Sequence, residues 1–73
     1  MTFQVVFEGD DATGWSAFVP DLPGIAVTGA TIDEARALVP KAIQWHLVGM
    51  REDGVPIPRA SHIVVEAVTV AAP

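Results

Sequence analysis

An α+β fold of order β-β-β-α-β follows from three features of the 73-residue sequence. Short runs of near-alternating apolar side chains, punctuated by glycine and proline, fill the first thirty positions. A capping pattern at Thr31 then opens about twenty residues of helical apolar spacing. A β-branched run over residues 63–70 follows near the end. The expected architecture is an antiparallel three-stranded sheet, one long helix across it, and a final strand. Residues 1–73 read as a single domain.

The first run, Phe3-Gln4-Val5-Val6-Phe7-Glu8, places Phe3, Val5 and Phe7 on one face and Val6 on the other. Gly9-Asp10-Asp11-Ala12-Thr13-Gly14 reads as the polar loop of a longer-loop hairpin. The second strand follows at residues 14–19, with Trp15, Ala17 and Val19 on a shared face and Phe18 opposite. Pro20 cannot donate to a ladder, and Pro23-Gly24 sets a turn. Ile25-Ala26-Val27-Thr28 supplies the third strand.

Thr31 is the expected N-cap, with Glu34 reaching back and Asp33 and Glu34 at the positive end of the helix dipole. Ile32, Ala35, Val39, Ala42, Ile43, His46 and Met50 form the stripe that should face the sheet. Leu38, Trp45 and Val48 widen it. Pro40 removes a backbone hydrogen bond inside this pattern. The apolar spacing continues in phase past it, so one kinked helix is expected rather than two. Gly54 is the expected left-handed cap. Val55-Pro56-Ile57-Pro58 must be extended. Residues 61–70 then read as the last strand, apolar on both faces, suited to a place inside a sheet or to pairing across a subunit boundary.

An aromatic strand, Pro20-Asp21-Leu22-Pro23-Gly24, a third strand and Thr31-x-x-Glu34-Ala35 come in that order. This order resembles the N-terminal domain of HicB-like antitoxins over residues 3 to about 58. The matching positions are Gly14, Pro20, Asp21, Leu22, Pro23, Gly24, Gly29, Thr31, Glu34 and Ala35, with Trp15 where the family commonly has an aromatic. The resemblance implies a partial ribonuclease H-like fold. It also implies stoichiometric inhibition of a small basic HicA-like ribonuclease toxin, whose catalytic histidine this domain covers. Full-length relatives usually append a helix-turn-helix or ribbon-helix-helix domain for operator DNA. The sequence departs from them here, with no DNA-binding domain expected within its 73 residues, and Pro40 is unusual for the family.

Composition bounds the alternatives. The net charge of −5 disfavours nucleic-acid binding by this chain and suits a basic protein partner. The sequence contains no cysteine, so neither a disulfide nor a thiolate metal site is available. No targeting segment or membrane-length apolar run stands out, which fits a cytoplasmic protein. A hydrophobic fraction of 51% and a mean hydropathy of +0.42 are high for so small an interior, and a homodimer or tetramer is expected.

No residue pattern carries enzymatic chemistry, and no cofactor is implied. His46 lies on the helix stripe without a Glu-x-x-His or His-x-x-x-His partner, and His62 beside Ser61 would point to the opposite face of a strand. The acidic groups Glu8, Asp10, Asp11 and Glu52, Asp53 read as a turn and a helix end. A metal-dependent nuclease would require Asp10, Asp21 and a helix carboxylate to converge. The candidate interface residues are Trp15, Phe18, Leu22, Ile25 and Trp45, because buried aromatic anchors often dominate binding. Trp15 is also suited to the core rim. The function expected is antitoxin. The alternative is an orphan homo-oligomeric scaffold or small-ligand-binding module with the same fold.

Overall fold

Each strand in the computed structural model, which describes residues 1–59 and 62–73, stops where the sequence no longer supports a ladder. Strands β1 (Val6–Asp10), β2 (Gly14–Phe18) and β3 (Ala26–Gly29) form an antiparallel sheet in the order β1-β2-β3. Phe7 pairs with Ala17 and Ala17 with Val27, while Val6, Phe18 and Ala26 align on the adjacent row. β1 begins three residues later than its apolar run. Continuing the register would set Gln4 opposite Pro20, which has no N–H to donate. Phe3 and Val5 still pack against the core.

The hairpin loop is tied by Asp10, whose Oδ1 accepts from the backbone N–H of Ala12 (3.0 Å) and of Thr13 (2.7 Å) and from the Thr13 hydroxyl (2.8 Å). An aspartate at this position closes a turn with its own side chain.

Two consecutive turns build the core from the Pro20-to-Gly24 motif. The Leu22 N–H donates to the Val19 carbonyl at 3.0 Å, and the Ile25 N–H to the Leu22 carbonyl at 3.3 Å. Each turn carries proline at its second position, where the fixed φ is already correct. Gly24 follows Pro23 at φ +97°, a backbone conformation that L side chains rarely adopt. The corners of these turns are Val19, Leu22 and Ile25, and these three form the buried cluster, with Ala42, Ile43, Leu47 and Met50 packed on it from the helix.

Helix α1 (Ile32–Glu52) follows at once. The Thr31 hydroxyl accepts from the Glu34 N–H at 3.2 Å, and the Glu34 carboxylate accepts from the Ala30 N–H at 2.6 Å. The reciprocal cap therefore forms one residue earlier than a standard capping box on the Glu34 side. The helix runs unbroken through Pro40, so a single element is present, as the apolar spacing implies. Pro40 sits on the exposed side, while Ala35 and Val39 are buried. At the far end the Gly54 N–H bonds to the Arg51 carbonyl and the Val55 N–H to the Met50 carbonyl, with Gly54 at φ +70°. This is the glycine-terminated helix end that the sequence implies. Gly29 lets strand and helix meet, since a Cβ there would lie 2.8 Å from the Ala35 nitrogen.

The fifth element departs from expectation. Residues 62–73 form no strand, and the described order is β-β-β-α; Ser61 lies outside the described residues. Val64, Val65, Val68 and Val70 are 77–82% exposed. Apolar alternation gives a segment strand character, but a strand exists only where a second backbone completes its ladder. Within one chain, residues 62–73 meet no such partner.

Candidate protein-binding surface

The paired turns withdraw two of the five interface candidates from the surface. Leu22 is 1% exposed and Ile25 8%, so both belong to the core of the single chain. They sit at turn corners, which point inward because proline and glycine take the outward positions. Trp15 is half-buried at the sheet end, and its indole N–H donates to the Asp11 carboxylate at 2.7 Å. Phe18 and Trp45 remain available, at 39% and 80% exposure.

Phe18 and Trp45 mark two separate surfaces. Phe18 lies on the sheet face away from α1, in register with Val6 and Ala26. Alternation puts Glu8, Ser16 and Thr28 on the same face. No element covers this face among the described residues. Asp10 and Asp11 lie at its hairpin end. The three donors from Ala12 and Thr13, those of Thr13 foremost, hold the Asp10 carboxyl below its ordinary value of 3.8, so this end stays anionic into acid.

Trp45 lies beside β3. With Val27, Thr28, Leu38, Lys41 and Ala42 it lines a shallow apolar groove of about 400 Å³ between the strand edge and the helix. Leu38, Lys41 and Trp45 follow one another at helical spacing, so they share one side of α1. Sequence reasoning passed over Lys41 as part of this surface, although its spacing from Leu38 and Trp45 was the available signal. It also left out Leu47, which packs on the core.

The groups considered for chemistry lie elsewhere and apart. His46 is half-buried at the base of α1's sheet-facing side near Gly24, Ile25 and Ala26. His62 is exposed. Among the described residues, no three histidines or carboxylates gather into a group that could hold a metal ion. No described helix is long and apolar enough to cross a membrane. The motif residues Gly14, Pro20, Asp21, Pro23, Gly24, Gly29, Thr31, Glu34 and Ala35 sit at the hairpin, the paired turns and the helix start. Their positions define the fold more than they define a contact surface.

A protein of Haemophilus phage HP1 (strain HP1c1), named as an uncharacterized 14.9 kDa protein in the rep-hol intergenic region, is 38% identical to this chain over 50 residues. That match covers 68% of this chain and 38% of the phage protein, so the chain spans less than half the length of this relative. No solved structure matches the chain. Residues 3–71 match the family described as the HicB_like antitoxin of bacterial toxin-antitoxin system. That span takes in the hairpin, the paired turns and the capped helix, and the chain belongs to the HicB-like antitoxin family.

Proposed function

We propose that this chain is the antitoxin of a type II toxin–antitoxin pair and silences a small basic HicA-like ribonuclease by binding it directly. The observation that carries this reading is the family match over residues 3–71. The net charge of −5 supports it: an acidic protein steers toward a basic one and occupies the surface that RNA phosphates would use. On this reading the chain acts in the cytoplasm without catalysis of its own, and it does not bind nucleic acid directly.

The toxin docks on the sheet face that α1 leaves bare, with Phe18 as the aromatic anchor and Glu8 beside it. An exposed aromatic flanked by Val6 and Ala26 is the kind of side chain that fills a partner pocket. The carboxylates at the hairpin end supply the charge that meets a basic rim.

Co-expression of the tagged chain with its flanking reading frames tests this. A small basic protein should co-purify in fixed ratio, with its ribonuclease activity suppressed. Phe18→Lys should weaken the complex by at least about tenfold, the loss expected for a buried aromatic anchor. A homo-oligomer that captures no flanking product, while free flanking products degrade RNA, would contradict the reading and favour the orphan scaffold.

A further inference from the structure

The segment that fails to find a ladder has the composition of a strand and the exposure of a ligand. Residues 63–70 carry Val64, Val65, Val68 and Val70 at 77–82% exposure, and Glu66 is their one charge. The chain's radius of gyration is 14.7 Å, and its longest dimension is 48 Å. A compact chain of this length has a radius of about 11 Å.

Among the described residues the sheet has two unpaired edges, β1 and β3, and they differ. The β1 edge carries Glu8 and Asp10, charges of the kind that protect an edge from pairing. Gly9 at φ +135° further breaks its regularity. The β3 edge, Ala26-Val27-Thr28-Gly29, has neither charge nor proline. It borders the groove formed by Val27, Leu38, Ala42 and Trp45, whose only charged residue is Lys41. Lys41 makes no ion pair among the described residues.

We propose that residues 63–70 of one copy add as a strand to the β3 edge of a second copy, reciprocally, with Glu66 meeting the partner copy's Lys41. Alternation sets Val64, Glu66 and Val68 on one face. Val64 and Val68 stand about 13 Å apart along a strand. Leu38 and Trp45 stand about 10 Å apart along the helix, with Lys41 between them. The apolar–charged–apolar order therefore matches across the groove. Each copy would contribute about sixteen residues and the pair would bury about 1,100 Å² in total, near the lower end of stable interfaces. The exchange removes the exposed valines and the open β3 edge together, and a two-fold axis closes the contact.

Sedimentation and hydrogen exchange on the full chain alone, without toxin, test this independently of the antitoxin reading. The chain should be a dimer at about 100 µM, a concentration at which interfaces of this size associate. The amides of residues 63–70 should exchange slowly. A Val65→Pro/Val68→Pro variant should be monomeric with unchanged helical circular dichroism, because both side chains are about four-fifths exposed and lie outside the core. Lys41→Glu and Glu66→Lys should each weaken the dimer about tenfold, since each contact occurs twice, and the combined exchange should restore it. A monomer, protected tail amides within a monomer, a dimer that survives the prolines, or single charge reversals without mutual rescue would each overturn the proposal.

Discussion

Leu22 and Phe18 are both large apolar residues near the same motif, yet their surroundings assign them opposite roles. Leu22 is enclosed at the junction of two turns. Leu22→Ala should cost about 2–5 kcal/mol, the range for a truncated core leucine. Chains of this size hold about 4–11 kcal/mol in all, so much of the stability would be gone. Phe18→Ala, on the bare sheet face, should change stability by about 1 kcal/mol or less while weakening partner binding. Urea unfolding of the two variants checks the contrast. Asp10 gives a pH-dependent case. Its carboxyl is held below 3.8 by the Thr13 and Ala12 donors. The folded state therefore binds the proton less readily than the unfolded chain. The contribution is complete above the unfolded value and is lost as pH falls through the lower, folded one. Carboxyl chemical shifts in an acid titration should place the Asp10 midpoint below that of a short peptide. Asp10→Thr, which has no carboxylate, should flatten the hairpin's response below about pH 4.

At the scale of elements, proline and glycine decide where structure stops, and they are the most legible residues in the sequence. Pro20, Pro23 and Gly24 specify two turns, Thr31 and Glu34 start the helix, and Gly54 ends it. These are local rules, satisfied by neighbours in sequence, and the three strands and the helix could be read from them within a few residues. The start of β1 was less legible, because it depends on what stands opposite in β2. Pro40 tests the helix itself. Pro40→Ala restores the N–H that bonds the Arg36 carbonyl, and should raise stability by about 1–3 kcal/mol in urea unfolding. Gly29 tests the seam between β3 and α1. Gly29→Ala would press a Cβ against the Ala35 backbone, and backbone yields less readily than a flexible side chain. A loss of about 1–3 kcal/mol is expected from that overpacking.

At the scale of the whole molecule, periodicity ceases to be enough. Residues 63–70 have the alternation of a strand, but their partner is not written in local spacing, and the single chain leaves them exposed. The interface candidates show the same limit. Aromatic and aliphatic character picked out Trp15, Phe18, Leu22, Ile25 and Trp45 together, and only the turn geometry separated the buried Leu22 and Ile25 from the exposed Phe18 and Trp45. Distribution of charge divides the remaining surface. The bare sheet face borders the hairpin carboxylates, whereas the groove beside β3 holds Lys41 among apolar side chains. On the two proposals, one face meets a basic partner and the other meets a second copy. The most direct test of the proposed antitoxin role is a titration of this chain into a small basic, RNA-cleaving product of a flanking reading frame, with RNA cleavage as the readout. Cleavage should fall linearly to zero at a fixed molar ratio and stay there. Undiminished cleavage in the presence of excess chain would contradict the account.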